Sequence, residues 1–283
     1  QDPWNTYGPW RYPFNDSAFA IGSIAAPLID GGLEEQVIGA TVSAFIDSRY
    51  YVEAGVYATP SDGFLDSVGV APDEAAKLDG AAFYARAGYQ RDWGKDNMHV
   101  GAALLTANLS PERDSSLPSD SITDLVLDAG YQFLGTRKQI VNVQGAYTYE
   151  WRDLKGSRFV GDADRASADL QSFHVDASYV YDQTYEAVLG LNAVWGSSDA
   201  ALYAPDPVEG SRTGSPDTTS VSLEGDWVPF GKDDSYGAPN ANLKLGLRLT
   251  HNFTFNGASS NYDGFGRDAS DNDSVLAFLW TAL

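Results

Sequence analysis

The chain has 283 residues, 43% apolar and 13% aromatic, with 28 Gly, a single Met and no Cys. The lack of thiols excludes disulfides, thiolate metal sites and cysteine nucleophiles, and a formal net charge of −21 argues for cations and against nucleic acid as partners. No run of about eighteen or more apolar residues occurs, so no membrane-spanning helix is expected.

Residues 1–33 carry Pro3, Pro9, Pro13 and Pro27 among Trp4, Tyr7, Trp10, Tyr12 and Phe14. That is too much proline for a central strand or a helix, and the segment is expected to form an aromatic, Pro-rich extracellular loop region. The chain opens on Gln1 without a signal peptide, which suggests either a removed leader or a start part-way through a longer protein.

From Glu34 to the end the pattern has period two. Ile38, Ala40, Val42, Ala44 and Ile46 share one face, and Tyr50, Val52, Ala54 and Val56 oppose Tyr51, Glu53, Gly55 and Tyr57. Further segments repeat this around Phe83–Gln90, Met98–Leu104, Thr123–Phe133, Val141–Glu150, Phe173–Tyr181, Tyr185–Trp195, Val221–Trp227, Leu243–Thr250 and Ser274–Leu283. This makes about eleven strands over 34–283, each near the length of a tilted strand that spans a bilayer.

The connections alternate. Short ones at Asp47–Arg49, Trp93–Asn97, Leu134–Lys138 and Asp182–Gln183, with Phe230–Ala241 the longest of this class, interleave with long ones at Pro60–Gly80, Ser110–Asp120, Arg152–Ala168, Gly196–Asp217 and Thr254–Asp273. Outer-membrane barrels have tight periplasmic turns and long extracellular loops. Tyr89, Trp93, Tyr131, Tyr149, Trp195, Trp227 and Trp280 are expected at the membrane interfaces. The expected fold is therefore all-β, an antiparallel transmembrane barrel in the outer membrane of a Gram-negative bacterium, with outer-membrane lipid as a partner. An odd strand number cannot close an antiparallel barrel, so either a strand is hidden in 1–33 or further strands lie upstream.

Trp4-Asn5-Thr6, Pro9-Trp10, Tyr12-Pro13-Phe14, Ala26–Leu33, Tyr51–Tyr57, Asp124–Tyr131 and Asp273–Leu283 together resemble the barrel half of the outer-membrane cytochrome-porin fusions. The resemblance implies a barrel of about sixteen strands behind an upstream monohaem c-type domain. It also implies electron transfer across the outer membrane through periplasmic carriers, with extracellular Fe(II) oxidation as the role of the best-known members. No Cys-x-x-Cys-His is present here, so haem c is expected upstream and no cofactor on this chain.

Alternation places Glu53, Arg86, Asp124, Asp128, Glu150, His174, Asp176, Glu186, Glu224, Asp226, Lys244 and Arg248 on the lumen side. They are expected to line a cation-favouring pore, although general solvation of a polar lumen accounts for such residues equally well. His99, His174 and His251 lack a Cys or His at ligand spacing, and the acidic loop Asn261–Asp273 lacks the spaced pattern of a calcium loop, so no metal site is expected. No Gly-x-Ser-x-Gly elbow or other catalytic constellation occurs, and the expectation is a chain that is not an enzyme. The alternatives are a passive cation-leaning diffusion porin without haem and a soluble β-rich glycan-binding protein. On the barrel register Leu127→Arg should be costly and Asp128→Asn tolerated.

Overall fold

A computed structural model of the chain describes residues 23–30, 37–69, 76–232, 235 and 242–282. Most of the expected loop region at 1–33, and part of the connection at 230–241, lie outside the described residues.

The strands are β1 (Ile38–Ile46), β2 (Tyr50–Ala58), β3 (Ala76–Leu78), β4 (Ala82–Trp93), β5 (Asp96–Pro111), β6 (Asp120–Phe133), β7 (Gln139–Asp153), β8 (Ser167–Tyr181), β9 (Tyr185–Gly196), β10 (Thr218–Trp227), β11 (Asn242–Thr254) and β12 (Ser274–Ala282). They form one 12-stranded sheet in which neighbours in sequence are neighbours in space, except that β3 pairs off the main path with β5. Every pairing is antiparallel. Along the main path β1 and β12 are the two edges, and the sheet is not closed among the described residues. No described helix is long and apolar enough to cross a membrane; α1 (Asp62–Ser67) and α2 (Lys155–Val160) are single short turns in loops.

Both ends of the sheet are tied by contacts between successive connections. At the short-turn end, Gln90 N donates to Arg49 O, Leu134 N to Lys95 O, Asp182 N to Lys138 O and Val228 N to Thr184 O. At the other end the long loops meet: Arg113 pairs with Asp62, Asp120 Oδ1 accepts from Gly156 N at 2.7 Å, and Arg212 N donates to Tyr262 O. The strands run past the sequence-predicted limits towards these loops, so that β5 reaches Pro111 and β7 reaches Asp153. Strand β3 falls within the connection expected at Pro60–Gly80; its three residues pair with the overhang of β5.

The two faces are inverted relative to a water-soluble sheet. On β6, Leu125 and Leu127 are exposed while Asp124, Val126 and Asp128 are buried. On β11, Leu245, Leu247 and Leu249 are exposed while Lys244 and Arg248 are buried. Carboxylates and cations thus occupy the sheltered face, and leucines face outward.

Candidate functional site: the charged inner face

The structure puts all the sequence-selected charged residues and His174 on the inner face, but in separate groups at different heights. Nearest the short turns lies a group on β9, β10 and β11. The pairing sets Glu186 opposite Asp226 and Glu224 opposite Arg248. Two carboxylates directly opposed destabilise a ladder, and Lys244 offsets this: its Nζ lies 2.9 Å from Asp226, 3.3 Å from Glu224 and 3.8 Å from Glu186. Arg248 Nε donates to Glu224 Oε2 at 2.7 Å. The Lys244 ammonium also stands over the Phe278 ring, 5.5 Å from its centroid.

At mid-height, Arg86 on β4 donates to Asp128 on β6 at 2.7 Å, and His99 of the intervening β5 stands 3.9 Å from the same carboxylate. Glu53 on β2 accepts from Tyr51 OH at 2.9 Å and lies opposite Arg86 in the strand register. Asp176 and His174 lie on β8, opposite Gly190 and Asn192 of β9.

The third group lies towards the long loops. Asp124 and Glu150 face each other across β6 and β7, and both are fully buried. Glu150 binds Arg152 and accepts from Leu28 N at 2.6 Å, while Asp124 Oδ2 accepts from Ile29 N at 2.8 Å. Residues 23–30 therefore lie against the inner face, at the end where the long loops meet. Their main-chain N–H groups find carboxylates inside, and Leu28 and Ile29 join an apolar cluster with Tyr57, Tyr84, Leu105 and Val126. Arg152 lies past the expected end of its strand, but β7 runs on to Asp153 and, two residues beyond Glu150, Arg152 shares that residue's face.

On the outer face, aromatic residues form two bands. Tyr89, Trp93, Tyr131 and Trp227 stand towards the short turns, and Tyr149 and Trp195 towards the long loops. Trp93 and Tyr131 have ring centroids 6.5 Å apart, Tyr147 and Trp195 6.2 Å. Trp280 departs from this group. It pairs with Lys244 across β11 and β12, so it lies on the inner face, and its assignment as an interface aromatic is corrected.

Outside the strands, Asp199 accepts from the N–H groups of Asp164, Arg165, Ala201 and Leu202. Burial alone would raise its pKa, but these donors together hold it below the ordinary aspartate value. Asp263 is held down in the same way by Phe265, Arg267, Val208 and Gly266 N–H groups, again against burial. Among the described residues no group of three or more His, Asp or Glu has the geometry to hold a metal ion.

No protein-family model and no curated protein matches the chain. Among solved structures it is similar to in-vitro folded OmpT, an outer membrane protein of Vibrio cholerae, at 12% identity over 95% of this chain and 70% of that one, with a TM-score of 0.46. The all-β, barrel-like sheet is consistent with residence in a Gram-negative outer membrane. The expectation that the chain is not an enzyme is corrected: one fold carries many functions, and a barrel architecture alone does not settle enzymatic status.

Proposed function

We propose that this sheet is the wall of a porin-like passage through the outer membrane, with its leucine face against lipid and its charged face against the passage. One contrast carries the reading: Leu127 is 52% exposed and its neighbour Asp128 8%. In water, burying the aspartate and exposing the leucine would cost on both counts; in a bilayer the same arrangement is favourable. Carboxylates outnumber cations among the inner residues, which supports a preference for cations.

The resemblance in the barrel motifs extends this to the porin module of a cytochrome-porin electron conduit, partnered by an upstream haem domain and periplasmic carriers. The chain's own residues do not fit a covalent haem: it has no Cys, and His251 lies on the outward face bonded to Asp273 at 2.7 Å. Any redox step would therefore belong to the upstream domain, and this chain would supply the insulated wall. The test is the intact mass and the reduced-minus-oxidised visible spectrum of the protein extracted from native outer membranes. A species well above 30.5 kDa with one covalent c-type haem supports the conduit; a haem-free species of this mass leaves a diffusion porin only.

A further inference from the structure

At the long-loop end of β11 and β12 an ionisable pair stands on the outward face, beside the leucines. His251 Nδ1 and Asp273 Oδ2 lie 2.7 Å apart, with side chains 49% and 37% exposed. Asp273 is held from the backbone, its Oδ1 accepting from Asn252 N at 2.9 Å. The imidazole also packs on Phe253, whose ring stands at 87° to it with centroids 4.9 Å apart. Among the described residues, Nε2 of His251 has no hydrogen-bond partner. The pair borders a shallow crevice of about 350 Å³, whose apolar walls are Val221 and Leu223 of β10, Leu249 of β11 and Val275 of β12.

An ionisable side chain that faces hydrocarbon is costly, and each polar atom left open adds its own desolvation. Here both carboxylate oxygens are satisfied and the imidazole only at Nδ1, so the arrangement lacks a ligand for Nε2 that arrives from the lipid side. With Nδ1–H given to Asp273, Nε2 accepts when the ring is neutral and donates when it is charged; a hydroxyl meets both states. A phosphate is disfavoured, because the loop at the rim of the crevice carries Asp263, Asp268, Asp271 and Asp273 against Arg267 alone. The apolar walls suit an acyl chain, held by close packing because there is no water to expel.

We propose that this crevice seats one hydroxyl-bearing membrane lipid, its acyl chain lying over Leu223, Leu249 and Val275 and a head-group hydroxyl bound at His251 Nε2. This rests on the reading of the leucine face as the face that meets lipid. The test is nuclear magnetic resonance of the whole chain, isotope-labelled at its three histidines, in phosphatidylcholine nanodiscs, with His251→Gln assigning the signal. Adding glucosyl diacylglycerol should move the His251 Nε2 signal saturably, and adding phosphatidic acid should not. Val275→Trp, which fills the crevice, should abolish the response. No movement, equal movement with phosphatidic acid, or a response that survives Val275→Trp would overturn the seat. Nitroxide-bearing phosphatidylcholine in the same discs reports the membrane reading separately. It should broaden His251 and leave His174, on the inner face, sharp; if His251 stays sharp, the lipid face falls and the seat with it. A broadened His251 without a glycolipid response overturns the seat alone.

Discussion

Arg86 reaches Asp128 across the whole width of β5, and the residue beneath the bridge is Gly101. A Cβ at that position would come within 2.7 Å of Asp128 Oδ2 and 2.8 Å of Arg86 Nη2, so the glycine is what allows the two side chains to meet over the strand. This changes what the sequence alone leads one to expect of Asp128. Read as a solvated lumen residue it should tolerate substitution, whereas in the structure it is the buried acceptor of a half-buried guanidinium. Asp128→Ala strands that charge and should destabilise the folded barrel by about 3 kcal/mol, read as a lower urea midpoint for loss of the heat-modifiable band. Gly101→Ala should lower the midpoint too, by forcing the pair apart.

Leu127 provides the opposite control. Its side chain points outward at mid-strand, between the aromatic bands, and Leu127→Arg should cost about 2–4 kcal/mol in a bilayer. The measurement is urea-dependent folding into lipid vesicles. Neutral behaviour at 127 would mean that this face meets water.

Lys244 sits among Glu186, Glu224 and Asp226. Lys244→Gln keeps much of the volume and removes the positive charge, leaving those carboxylates with Arg248 alone. The reversal potential across a potassium chloride gradient should shift further towards cation selectivity. If it does not move, this cluster lies off the conducting route.

The loop around Asp199 should loosen in acid. Because the folded-state pKa is depressed, the stabilisation is present above the unfolded aspartate value of about 4 and disappears as pH falls through the lower folded value. Hydrogen exchange at Asp164, Arg165, Ala201 and Leu202 should accelerate there. Asp199→Ala should give the fast rates at neutral pH and abolish this pH dependence.

Period-two alternation was enough to assign the faces of strands such as β6, where Asp124, Val126 and Asp128 alternate with Leu125, Leu127 and Ala129. It failed at β12, where Val275, Ala277 and Leu279 alternate with Leu276, Phe278 and Trp280 and both faces read as apolar; only the pairing with Lys244 decides. The place of residues 23–30 on the inner face could not be read at all, because Glu150 and Asp124 recognise main-chain N–H groups of Leu28 and Ile29, and any residue but proline supplies one. Ion-pair partners were equally hidden. Arg86 and Asp128 lie on strands that are not adjacent, so no local spacing links them, and Arg152 was lost by ending its strand two residues early.

The orientation of the faces in lipid is the claim on which the rest depends, and a cysteine-free chain makes it directly measurable. Single cysteines placed in turn from Thr123 to Tyr131, labelled with a fluorophore and refolded into vesicles containing nitroxide lipids, report which side chains touch the bilayer. Quenching is expected at 123, 125, 127, 129 and 131, with little at 124, 126, 128 and 130. Uniform quenching, or none along the whole strand, would contradict it.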